Sequence, residues 1–197
     1  MNNIMLLKQI SDSNGGIIST KAAVKKGISK MALSRLCKEH MIERIAQGQY
    51  IFPTNIQDEL VSISIRSENI IFSHETALFL HGISDRTPFV HSITYPSGKI
   101  PSPVLRDECK VYYIKPELFD MGKTQLCTPM GNRIPGYDLE RTVCDIVRSR
   151  SKIGSETFLA ALKIYTARKD KNLTLLYDYA KELRIQTVLM RYLEVLL

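Results

Sequence analysis

Residues Ser29–Phe52 read SKMALSRLCKEHMIERIAQGQYIF. Ser29 is a natural helix N-cap, because its hydroxyl can accept from an orphan N–H of the first turn. The helix it opens is predicted to run to about His40. On a wheel of about 100° per residue, Ile28, Ala32, Leu33, Leu36 and Cys37 gather on one side. Lys30, Met31, Ser34, Arg35 and Lys38 gather on the other. Beyond the helix, two short runs flank Gln47-Gly48, a dipeptide suited to a tight hairpin turn. The stretch therefore predicts a helix with an unpacked basic face, followed by a two-stranded ribbon.

Upstream, Ile4, Leu7 and Ile10 recur at helical spacing, and Gly15-Gly16 ends that helix. Ser19 or Thr20 caps a second, short helix through Lys26, and Gly27 supplies the turn into the third. Two short helices joined by a glycine turn are the signature of a helix-turn-helix, and the ribbon behind them makes it a winged one. The wing normally runs beside the duplex, so Arg44, Gln47 and Gln49 become candidates for phosphate or minor-groove contact. Met31 has two readings: contact with a thymine methyl, or a partly covered place at a domain seam. Winged helices also serve protein contacts, so the motif alone does not decide the partner.

Charge favours DNA. The chain of 197 residues carries a net +7. Residues 1–52 hold eight Lys or Arg against three acids, leaving +5 in a quarter of the chain and only +2 in the rest. Such concentration points to a polyanionic partner for that quarter. The expected DNA-contacting set is Lys21, Lys25, Lys30, Ser34, Arg35, Lys38, Arg44 and Gln49.

Composition excludes other classes. A hydrophobic share of 44% fits a globular protein. No apolar run approaches the roughly 18 residues of a membrane span. The N-terminal MNNIMLLKQISDSNGG lacks the features of a signal peptide. Cys37, Cys109, Cys127 and Cys144 are widely spaced and include no CxxC pair. A reducing cytoplasm is expected, with no disulfide framework and no metal.

A second domain is expected over residues 54–197, after a first over 1–53. DELVSISIRSE reads as a helix, NIIF as a strand, and HETALFLHG as a helix capped by Ser73 and ended by Gly82. HSITYPSG and CKVYYIK read as strands, and QLCTPMGNRIPGY as a strand pair turning at Gly131-Asn132. YDLERTVCDIVRS is an amphipathic helix, and from Ser155 the chain is helical in three pieces. The fold class is α+β: a winged helix-turn-helix, then a mixed α/β domain with a helical C-terminal tail.

No catalytic constellation emerges from this second region. H-E-x-x-H would need histidine at position 78, where Leu78 stands. His74 and His81 share a helix face but lie roughly 10.5 Å apart along the axis, too far for one ion. Asp138, Glu140 and Asp145 sit close in sequence, but Arg141 and Arg148 accompany them. Glu140 is expected to partner an arginine and Asp138 to cap the helix. The P-loop ending and a serine nucleophile elbow are both missing. Cys144 reads as a core residue. No enzyme and no cofactor are expected.

Two later blocks carry a resemblance. FSHETALFLHGISDRTP and TPMGNRIPGYDLERTVCDIVRS, behind a winged helix, resemble the AbiEi antitoxin family of bacterial abortive-infection systems. The resemblance covers nearly the whole chain, least specifically in the helical tail. It implies an antitoxin that binds inverted repeats in its own promoter and represses it. It also implies neutralisation of a nucleotidyltransferase-like toxin without a stable complex, as a type IV system. It marks Ser73, His74, Glu75, Asp138, Glu140 and Arg141 as structurally important without giving them a chemical role. With no coiled coil to hold a dimer, monomers meeting on double-stranded DNA are expected. The rival expectations are a winged-helix regulator of an unrelated operon, and a nuclease that uses the first domain for targeting.

Overall fold

A computed structural model describes residues 3–84 and 86–196. The chain divides into two compact units. One takes the chain up to Glu68 together with Cys127–Arg133; the other takes Asn69–Leu126 and the chain from Ile134 onward. The boundary expected after residue 53 thus falls after Glu68, and a distant segment joins the first unit.

The first unit opens with α1 (Asn3–Ser13), then β1 (Ile17–Ser19), α2 (Thr20–Lys25) and α3 (Lys30–Lys38). β2 (Glu43–Ala46) and β3 (Gln49–Ile51) follow, and α4 (Glu59–Ser64) completes the run. The expected caps are in place. Ser19 Oγ accepts from the Ala22 N–H and Ser29 Oγ from the Ala32 N–H, each at 3.1 Å. Gly27 joins α2 to α3 at φ 85°, a left-handed conformation that side chains resist. The expected hairpin turns at Gln47-Gly48, and β3 also pairs antiparallel with β1, giving the sheet order β1-β3-β2. β1 was not foreseen: three residues between Gly16 and a helix cap are too short for a pattern. Leu7, Ile10, Ile18, Ala23, Ile28, Leu33, Leu36 and Ile42 form this unit's core.

α4 belongs here because of two polar ties. Gln49 Nε2 donates to the Ser62 carbonyl at 2.8 Å, and the Ser62 hydroxyl donates back to Gln49 Oε1. The buried Asp58 carboxylate caps α4 through the Leu60 and Val61 N–H groups at 3.1 and 3.3 Å. Its other oxygen accepts from Thr128 Oγ1 at 2.6 Å and Asn132 Nδ2 at 2.8 Å, which draws Cys127–Arg133 into the unit.

The second unit is built on a mixed five-stranded sheet. Its strands are β4 (Ile71–Phe72), β5 (His91–Pro96), β6 (Cys109–Ile114), β7 (Lys123–Cys127) and β8 (Arg133–Tyr137). Their order is β6-β5-β4-β8-β7, with β4 antiparallel to β5, and β5–β6 and β4–β8 parallel. α5 (His74–Leu80) links β4 to β5. α6 (Pro103–Glu108), which was not expected, supplies the crossover to β6; Ser102 caps it ahead of Pro103 at its first position. α7 (Leu139–Arg148) is almost wholly buried, and α8 (Ser155–Ala167), α9 (Leu173–Glu182) and α10 (Gln186–Leu196) pack with it. Leu78, Val143, Val147, Leu162, Tyr165, Leu176 and Leu189 are shared in that core. The α+β class and the three-part helical tail stand as expected. None of the described helices is long and apolar enough to cross a membrane.

Candidate nucleic-acid interface

α3 is fixed by what lies beneath it. Leu33 and Leu36 are buried in the first unit's core, which turns Lys30, Met31, Ser34, Arg35 and Lys38 to solvent. Met31 is 82% exposed, so of its two readings the covered one is not supported. Arg35 Nε lies 3.8 Å from Glu39 Oε1, a solvent-screened helical pair that leaves most of the guanidinium available. Within this short helix, three cations, a hydroxyl and a thioether share one outward face.

The remaining expected contacts divide. Lys25 is exposed beside the Gly27 turn. Lys21 is exposed as well, but its ammonium sits 2.6 Å from Glu68 Oε1 and draws that carboxyl below its ordinary pKa. A pair this open to water contributes little and is readily exchanged for a phosphate. Arg44 is exposed on β2, next to a register shift between Arg44 and Ala46, and its Nε donates to the Ala46 carbonyl at 3.4 Å. Gln49 is a correction. It is only 3% exposed and both ends of its amide are taken by Ser62, so it holds α4 and cannot reach a duplex. Alternation along β3 could have shown this, since Ile51, two residues on, is also buried.

In the second unit the singled-out residues are structural in several ways. Asp138 caps α7, as expected: Oδ1 accepts from the Arg141 N–H at 2.8 Å, and Oδ2 accepts from Tyr179 Oη at 2.9 Å. Glu140 does not partner an arginine. It accepts from the Asn172 N–H at 2.8 Å and Tyr165 Oη at 3.3 Å, and so holds the start of α9 and the end of α8. Arg141, fully buried, lies over the Tyr137 ring and donates to the Leu118 and Met121 carbonyls at 3.0 and 2.6 Å. Its Nε stands 3.2 Å from Asp145 Oδ2.

Ser73 occupies the cap position of α5 but makes no capping bond with its side chain. Its hydroxyl lies 2.9 Å from His74 Nδ1 and accepts from Thr94 Oγ1 at 2.8 Å. His74 begins α5 with φ 49°, stacks on the Tyr112 ring at 3.4 Å between centroids, and places Nε2 3.0 Å from Ser149 Oγ. Glu75 accepts from Lys110 Nζ at 2.9 Å and Ser92 Oγ at 3.0 Å. His81 ends α5 and donates from Nε2 to the Tyr137 carbonyl at 2.8 Å. The two histidines of the H-E motif are thus spent on separate protein partners. Among the described residues, no group of three or more His, Cys, Asp or Glu is placed to hold a metal.

No family model and no curated protein matches this chain. A solved structure does: the crystal structure of the Rv2827c protein from Mycobacterium tuberculosis. It is similar over 89% of this chain and 69% of its own, with a TM-score of 0.59 at 16% identity. At that identity the likeness is one of fold.

Proposed function

We propose that this protein binds double-stranded DNA through its first unit, acting as a winged helix-turn-helix, and that it is the antitoxin and autorepressor of a toxin–antitoxin operon. The observation that carries the reading is the outward face of α3, where Lys30, Arg35 and Lys38 surround Ser34 and Met31 above a sealed core. A helix of this kind sets cations against phosphates while side chains near its N-terminus reach base edges. The β2–β3 hairpin, with Arg44 exposed, serves as the wing in this reading. Binding is driven by counterion release and steered by base contacts, with no chemical step.

The antitoxin part of the reading rests on the resemblance of the two later blocks to the AbiEi family. In that reading the operator is an inverted repeat, filled by two monomers that meet on DNA. A nucleotidyltransferase-like toxin is then the functional partner, without a stable complex. The test is a gel shift of the purified chain on the DNA upstream of its own gene, against a scrambled fragment, across a salt series. Stepwise, sequence-selective retardation that weakens with salt is expected. Equal retardation of both fragments, or none at micromolar protein, overturns the autorepressor.

A further inference from the structure

Beside His74 the second unit holds a cavity of about 280 Å³. Thr94, Tyr113, Asp145, Arg148, Ser149 and Lys152 are among the residues that line it. Its exposed charge is positive: Arg148 and Lys152 are exposed, whereas the one lining carboxylate, Asp145, is buried. Among the described residues, no carboxylate pairs with Arg148 or Lys152. The nearby carboxylates are already engaged: Asp145 faces Arg141 at 3.2 Å, and Glu75 faces Lys110 at 2.9 Å.

The hydrogen bonds behind the cavity have a direction. Thr94 Oγ1 donates to Ser73 Oγ, so the single Ser73 proton is left for His74 Nδ1. Burial, and then the cations Lys110, Arg141, Arg148 and Lys152, hold the His74 pKa well below its ordinary value. The imidazole is therefore neutral and carries one proton. With Nδ1 accepting, that proton sits on Nε2 and is donated to Ser149 Oγ at 3.0 Å. Ser149 accepts from the imidazole, so its own proton is free to turn into the cavity it lines. The wall then offers a hydroxyl donor and two unpaired cations.

We infer that this cavity is an anion site, built for a phosphate dianion or a small phosphate monoester. Two unpaired cations match a charge near −2, and the hydroxyl supplies an aimed third donor. Size argues for a small ligand, since pockets for drug-sized molecules occupy about 300–1,000 Å³. Tyr113, half-exposed at the lining, is available to a planar group carried by the ester.

The experiment is calorimetric titration of the full chain with inorganic phosphate and, separately, with AMP, in low-chloride buffer. Saturable binding of at least one probe is expected. Arg148→Ala and Lys152→Ala should each weaken it about tenfold, the scale of one charge-assisted contact. Lys163→Ala, at an exposed cation that does not line the cavity, should leave it unchanged. Arg148 and Lys152 are exposed, so thermal melts of their variants should match the parent. Ser73→Ala is the test of direction. Ser73 does not line the cavity, yet without its proton the His74 tautomer is free to reverse, and phosphate affinity should fall severalfold. Tighter AMP than phosphate identifies a nucleotide as the ligand; equal affinities identify the phosphate group alone. Failure of both probes to saturate, or equal losses in Lys163→Ala, overturns the site. So does a loss of duplex affinity in Arg148→Ala without any binding of either probe, which would give this surface to nucleic acid.

Discussion

Asp58 and Thr128, 70 residues apart in sequence, meet through a hydrogen bond of 2.6 Å inside the first unit. The same carboxylate caps α4 and takes the Asn132 amide, so one buried anion satisfies four donors. Asp58→Ala should therefore cost about 3 kcal/mol, the sum of a lost cap and charged hydrogen bonds whose partners stay buried. The urea midpoint of the purified variant reads this directly. An unchanged midpoint would mean that water replaces the carboxylate without loss.

The α3 face is tested by titration of duplex DNA against salt. Arg35→Ala and Lys38→Ala should weaken binding and lower the slope of log affinity against log salt by about 0.9 each, if each neutralises one phosphate. Folding should be intact in both, because neither side chain is buried. A parental slope in both variants would take these residues out of the interface.

His74 ties stability to pH. Its folded pKa lies well below the ordinary 6.5, chiefly through burial, and that of His81 is lowered for the same reason. The unfolded chain thus binds more protons below that value. Stability is fully present above about pH 6.5 and falls as pH drops, by up to about 1.4 kcal/mol per pH unit for each histidine. Denaturation midpoints at pH 7.5 and 5.5 should differ less in His74→Asn than in the parent.

Arg141→Met would strip the buried Asp145 carboxyl, whose pKa burial already raises, of the counter-charge that opposes that rise, and would also free two carbonyls of the Leu118–Met121 segment. A loss of about 3–5 kcal/mol is expected. Replacing both, Arg141→Met with Asp145→Leu, should recover part of it, because the desolvated charge is gone. Thermal melts of the single and double variants measure that coupling.

Much of this was legible in the sequence. Ser19, Ser29 and Asp138 announce helix starts by chemistry that acts within four residues, and Gln47-Gly48 announces its turn the same way. The outward face of α3 followed from a single helical period. What stayed hidden depends on partners far along the chain. β1 exists because β3 is there to pair with it, and the Gln49 amide, on a face that alternation could have marked as buried, finds its partner only because Ser62 returns to it. Glu140 looked like an arginine's neighbour on its own helix; its actual partners sit on α8 and at the start of α9. The Ser149 side of the cavity gave no signal, since a serine at a helix end is ordinary.

The first unit is discontinuous, closed by Cys127–Arg133. During synthesis that segment leaves the ribosome only after about two thirds of the chain has been made, whereas domains ordinarily fold from the N-terminus onward. Until then Asp58 has neither Thr128 nor Asn132. The unit bearing the basic face matures late, alongside the rest of the molecule, and a fragment cut at Glu68 would be born without its own last piece.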